Sequence, residues 1–360
     1  MVHLVLLASV LIALMGRGKS KYFFAAACWV LFLFAALRYM YGSDYPAYYT
    51  HYLQIQAGYP DVYDEWLFVL LNRLCPSFHV LIALTSAVFV YSVYRLISGT
   101  LSTRDAWLGL LIFVVSPYLF LMNLSAIRQC LAMLCFLVAV HYAIERKPIW
   151  YILWILIGCL FHKSAIILLP VWFFANTKQV RKWLVCGILL AVFFFLFVAD
   201  LDSLVLAAVQ LFQDSNYIYY VTQGSQNSLR ATLLTGISFV YVLGNLPRLK
   251  DRELVYGKLY LLGTALGVLA FRMSMLTRIQ MFFDIFAVVA IPAIIRTDLE
   301  RGVIRVDRDN LPGTLWNIVN RFALPALVFV VYGLRYYAFF TNDSWAAFFT
   351  YQTIFSAIGG

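Results

Sequence analysis

The stretch PIWYILWILIGCLFHKSAIILLPVWFFA, from Pro148 to Ala175, decides how this chain is threaded. As one helix it would run about 42 Å, enough to cross a bilayer at a tilt. Its flanks argue against that. Glu145-Arg146-Lys147 stands before it and TKQVRK, Thr177 to Lys182, stands after it. Lysine and arginine collect in cytoplasmic loops, and a single crossing would strand one of these flanks on the wrong side. Two short helices reversing at His162-Lys163-Ser164 keep both flanks together. The spacing therefore predicts a hairpin of short helices over about 149–176. Short, broken helices persist at membrane depth only where protein covers them or where they line a wet cavity. His162 is then expected at the floor of an outward-facing cavity.

The rest of the chain fits the same solvent. It has 360 residues, a mean hydropathy of +0.83, 12% charged residues and 18% aromatic residues. A soluble surface needs far more charge. Apolar runs recur from end to end, without the alternating short strands of a membrane barrel. The expected fold is an all-α polytopic membrane protein with about 12 transmembrane helices. The expected segments are 2–16, 22–41, 78–95, 106–122, 129–144, 149–161, 164–176, 183–199, 230–247, 254–271, 279–295 and 315–333. The first lacks a preceding basic region and has its charges after it, so it reads as a helix with its N-terminus outside, not a cleaved signal.

Seventeen of the 27 basic residues fall in loops on one side, which is then cytoplasmic. This accounts for the net charge of +10 without any nucleic-acid partner. Residues 1–360 read as one integral-membrane domain with no fixed-period repeat. Periplasmic segments are expected at about 42–77 and 200–229, and a cytoplasmic loop at about 296–314. Five of the six cysteines lie inside apolar runs, so neither a disulfide framework nor a thiolate metal site is expected.

On the outer side, by this topology, lie Arg38, Asp44, Glu65, Asn123, Arg128, Gln129, His162, Arg272 and Arg278, with Asp284 in the outer half of its helix. Six tyrosines crowd LRYMYGSDYPAYYTHY, Leu37 to Tyr52. Arginine grips phosphate oxygens bidentately and keeps its charge. Aromatic rings beside carboxylates and amides suit sugars, so Tyr41 and Tyr45 are candidate sugar contacts. The combination points to a phosphate-linked, sugar-bearing lipid reached from outside. The plainer alternative is structural: Arg38 and Asp44 pairing across a helix end, the tyrosines forming an interfacial belt, His162 hydrogen-bonded in the core. Arg128 resists the plainer reading, since an arginine opening an outer helix opposes both the dipole and the charge bias. An intramembrane Asp284 is a functional candidate with Arg278 or Arg272 as its expected partner. The pairs Asp200/Asp202 and Asp307/Asp309 share a spacing but fall on opposite sides, so no metal site is built on them. No phosphate-binding loop or nucleotide fingerprint occurs.

Arg38, Gly42-Ser43-Asp44-Tyr45, Glu65 opening a helix, Arg128-Gln129 with Ala132, and His162 with Ser164-Ala165 follow in an order that resembles the EpsG family of Wzy-like polysaccharide polymerases. The resemblance implies an inner-membrane glycosyltransferase, metal-independent and without a cofactor. It would join undecaprenyl-diphosphate-linked oligosaccharide repeats on the periplasmic face into O-antigen, capsule or exopolysaccharide. Arg128, Arg278, Arg272 and Arg38 are then candidates for the diphosphate. His162, Asp44 and Glu65 are candidates for catalysis, and Tyr41, Tyr45, Asn123, Gln129 and Asp284 for the sugars. A chain-length-regulating protein is a candidate partner. The rival readings are an O-antigen ligase, a lipid-oligosaccharide flippase, which would show two related halves, and an O-acetyltransferase, which would need inward-facing catalytic residues.

Overall fold

The computed structural model describes residues 1–59, 62–177, 229–271, 276–300 and 311–358. The chain divides into two compact units. The first holds Met1–Asn176, Ala287–Pro292 and Tyr332–Gly360, and the second Thr177–Phe286 and Ala293–Val331. Both are built from helices.

The first unit begins with α1 (Val2–Met15) and α2 (Lys21–Ala36), which pack against each other. Ser20 caps α2 by accepting from the Tyr22 N–H. The chain then turns through a two-residue strand, β1 (Arg38–Tyr39), into α3 (Tyr45–Gln56), α4 (Trp66–Leu74) and the long α5 (Phe78–Thr100). Gly42 makes the turn at φ +107°, a conformation that β-carbon-bearing residues rarely adopt. Next comes α6 (Ala106–Val115), stopped at Ser116 because Pro117 forces the residue before it into an extended conformation. A short α7 (Leu121–Ser125) leads through a kink at Ala126 into α8 (Ile127–Ile144).

The stretch from Pro148 to Ala175 folds as a hairpin. Helix α9 (Pro148–Cys159), opened by proline at its first position, packs back along α8. The chain reverses over Leu160–His162, continues as a 3₁₀ turn (Lys163–Leu168), and ends in α10 (Val171–Asn176). The Tyr151 hydroxyl, near the start of α9, donates to the Leu168 carbonyl at 2.6 Å, and its ring lies 5.3 Å from that of Trp172. Those contacts require the second limb to run back beside the first. Gly158 permits the close approach of α9 to α8: a β-carbon there would sit 3.3 Å from Cys135 Cβ.

The C-terminal residues complete this unit. Strand β2 (Gln352–Thr353) pairs antiparallel with β1, Arg38 opposite Thr353. The Tyr351 hydroxyl donates to the Phe34 carbonyl at 2.6 Å. Nothing in the local sequence of residues 343–358 announces this return, because a two-residue pairing leaves no periodic signal.

In the second unit the elements are α11 (Leu229–Asn245), α12 (Asp251–Leu269), α13 (Leu276–Asp284), most of α14 (Ala287–Glu300), α15 (Leu311–Ile318) and the first part of α16 (Leu324–Thr341), with a π-helical turn at Val319–Ala323. Several polar groups inside it pair: Arg248 with Asp298 at 2.8 Å, Arg296 with Glu253 at 2.6 Å, and the amides of Asn245 and Asn320 with each other. Buried Lys258 donates to the Thr177 carbonyl.

Among the described residues, four helices are long and apolar enough to cross a membrane, or five if the bent pair α13–α14 counts as one span. Twelve spans are not reached by this measure. Helices such as α1, with 14 residues, and α9, with 12, run only about 18–21 Å. They fall short of a hydrocarbon core of about 30 Å. The expected segment 183–199 and all of 200–228 lie outside the described residues. One boundary differs as well: residues 296–300 and 311–314 of the expected loop 296–314 are helical, and 301–310 lie outside the described residues. Segment 42–77 carries α3 and α4.

The hairpin makes a topological prediction. Cysteine placed at Lys163 is expected to react with an impermeant reagent from one side, and at Arg146 and Lys178 from the other. Labelling of Arg146 and Lys178 from opposite sides would remove the reversal.

Candidate active site

Three of the singled-out residues, far apart in sequence, meet in the first unit: Glu65, Arg128 and His162. Glu65 occupies the position that opens α4, in extended backbone, and the Leu67 N–H donates to the Leu160 carbonyl at 3.1 Å. That bond ties the start of α4 to the hairpin turn and brings Glu65 beside His162. Arg128 is the second residue of α8, so its side chain leaves the same end of the helix pair.

Glu65 is the hub. Its Oε2 accepts from Arg128 Nη1 at 2.7 Å, and its Oε1 lies 3.6 Å from His162 Nδ1, an ion-pair distance just too long for a hydrogen bond. Glu65 side-chain exposure is 8%, against 16% for His162 and 28% for Arg128. Burial alone would raise the Glu65 pKa. The neighbouring His162 and Arg128 outweigh it and hold the carboxyl down at about 2. Glu65 is therefore an anion at neutral pH. It also offsets the cost of placing an arginine at a helix N-terminus, which the macrodipole opposes.

Around Arg128 lies an aromatic cradle that the sequence did not announce. Its guanidinium carbon sits 4.2 Å from the ring centre of Tyr63, and its backbone N–H donates to the Tyr48 hydroxyl at 3.4 Å. Asp44 is anchored by its own N–H, which donates to Ser125 Oγ at 2.9 Å, and its charge is felt at Tyr48 and Tyr63. At the rim, exposed Lys163 pairs with Asp64 at 2.5 Å.

Several candidates take other roles. Arg38 is 1% exposed, and its Nη1 and Nη2 donate to the Ala35 carbonyl, to Ser86 Oγ at 2.8 Å and to the Leu124 carbonyl at 3.0 Å. The cavity beside it, about 10 Å³, is too small for a diphosphate. Arg38 thus pins the end of α2 to α5 and α7. Tyr41 and Tyr45 are 0% and 3% exposed, packed edge-on against Phe348 and Phe78 respectively. Rings so enclosed offer no face to a sugar. Buried Asn123 donates to the carbonyls of Tyr118 and Leu119, and Gln129 is buried next to Arg128. A wide apolar groove of about 630 Å³ against α2 and α5 contains none of these residues.

Arg278 and Asp284 belong to the second unit. Arg278 is exposed on α13, and Asp284 ends that helix, accepting from Gln280 Nε2 at 2.8 Å, a partner not anticipated from the sequence. Arg272, the Asp200/Asp202 pair and the Asp307/Asp309 pair lie outside the described residues. Among the described residues, no three His, Cys, Asp or Glu side chains group in a way that could hold a metal ion.

A helical membrane protein with a buried carboxylate shared by a cation and a histidine is the class that fold and site define. The model of the EpsG family matches residues 21–305, and the chain belongs to that family. Membership carries a general role in polysaccharide biosynthesis at a membrane. No curated protein and no solved structure matches the chain.

Proposed function

We propose that this protein is a glycosyltransferase that polymerises undecaprenyl-diphosphate-linked oligosaccharide repeats at the periplasmic face of the bacterial inner membrane. The observation that carries the reading is the convergence of Arg128, Glu65 and His162. In this scheme a growing chain on its lipid diphosphate lies with the diphosphate against Arg128. Glu65 accepts from one terminal nitrogen of Arg128, and in this scheme the other terminal nitrogen, Nη2, meets a phosphate oxygen. The acceptor hydroxyl of a second lipid-linked repeat attacks the anomeric carbon. The new glycosidic C–O bond forms as the C–O bond to the diphosphate breaks. His162, with Nδ1–H turned to Glu65, presents Nε2 to take the hydroxyl proton, and that proton passes to solvent. Charge grows on the departing diphosphate, and Arg128 stabilises it there. The diphosphate is already a good leaving group, so the scheme uses no nucleotide. Arg278 and Asp284 are proposed from the sequence as diphosphate and sugar contacts.

The test is purified protein in detergent with a lipid-linked repeat. A ladder of products differing by one repeat is expected. Transfer of a single block to a different lipid acceptor would mean a ligase, and no bond formation at all would sink the glycosyltransferase reading.

A further inference from the structure

Arg128 is held on two sides, and only one of them is charged. Glu65 takes an edge of the guanidinium, while the face rests on the Tyr63 ring at 4.2 Å. A guanidinium with one edge bonded can still rotate about that bond. A ring against its face stops the rotation and fixes the plane of the fork. Tyr63 is fixed in turn. Its hydroxyl lies 2.5 Å from His51 Nδ1, the two rings meet edge to face at 4.8 Å, and Phe68 closes another side at 5.3 Å. Burial, and then the positive charge of Arg128, lower the His51 pKa. Both favour the neutral imidazole, which accepts the Tyr63 hydroxyl proton instead of competing with it.

We infer that Tyr63, locked by His51, is a positioning residue that sets the plane in which Arg128 presents its fork to an anionic oxygen pair. This rests on the proposed role of Arg128 and extends it to two residues that otherwise have no assigned task. An arginine that only balanced Glu65 would need no such orientation, since a point charge does that equally well. The plane matters when two oxygens of one phosphate must be met together. The ring and the hydroxyl therefore contribute separately, the ring by its face and the hydroxyl by preventing the ring from turning.

The experiment measures polymerisation kcat/KM in detergent at matched protein. Tyr63→Leu, which removes the face, is expected to cost about tenfold, the scale of a partly desolvated cation–π contact. Tyr63→Phe keeps the face and loses the His51 anchor, and about threefold is expected, matched by His51→Ala. The decisive arm combines changes. In an Arg128→Lys background, where no planar fork remains to be oriented, Tyr63→Leu should cost under about twofold further. A full cost of about tenfold in both backgrounds would show that Tyr63 only supports the fold, and would overturn the inference. So would Tyr63→Leu within twofold of wild type. Arg128→Ala, run in parallel, reports on the underlying site. If it kept full activity, the site reading itself would fail, whereas its inactivity beside a normal Tyr63→Leu would remove only the positioning role.

Discussion

Arg128→Ala is expected to abolish polymer in a deletion strain carrying the variant, while the protein still reaches the membrane at wild-type levels. A charge-assisted contact in a water-poor site, strengthened as the diphosphate departs, is worth roughly 3–4 kcal/mol, or two to three decades of rate. Arg128→Lys should recover only part of this, because an ammonium keeps the charge and loses the fork. The alanine change also leaves Glu65 buried beside one fewer cation, so membrane level and detergent stability must be read with activity. Arg335→Ala, on α16, serves as the control and should give normal chains. Arg278→Ala is expected to abolish polymer in the same assay. Normal polymer ladders from Arg128→Ala would leave its pairing with Glu65 purely structural.

Glu65→Gln should be nearly as damaging, for a different reason. Glutamine retains the shape and removes the negative charge that both Arg128 and His162 face, and breaking a buried pair on one side costs more than the pair itself contributes. A loss of about a hundredfold is expected, with partial recovery in Glu65→Asp. The pH dependence follows from the depressed carboxyl. With a folded pKa of about 2 against an ordinary 4.5, the contribution of Glu65 is fully present above about 4.5 and disappears only as pH falls toward 2. The gap between wild type and Glu65→Gln should therefore persist from pH 8 down to pH 5. A gap that closed over that range would show Glu65 taking a proton there, and the anionic hub would be wrong.

Much of the fold was legible along the chain because membrane-spanning helices carry their own signal. Every backbone polar group in hydrocarbon must be satisfied locally, so long apolar runs declare themselves. Most of the long described helices overlap expected segments, though fewer reach spanning length, and the reversal at His162 was visible in two basic flanks. Length was less legible. Where a run is interrupted, as at Ser116-Pro117, or between α13 and α14, which meet at 54°, composition alone overestimates a span.

The site divides along the same line. Sequence marked Glu65, Arg128 and His162 because charge in such a setting is costly and therefore conspicuous. It marked Arg38 by the same rule, and Tyr41 and Tyr45 as aromatic rings suited to sugars; the tertiary structure buries all three. Arg38 spends its terminal nitrogens on two carbonyls and a hydroxyl from three elements, and Tyr41 packs against Phe348 and Tyr351 beside a C-terminal strand that returns from more than 300 residues away. Sequence also passed over Tyr63 and His51, since one tyrosine among 24 carries no distinguishing mark. What the sequence determined by itself was the solvent, the helices and the presence of unusual charge, all of which are local free-energy costs. Which charges meet, which rings stack and which donors are already spent depend on contacts between distant segments, and only the tertiary structure decided those.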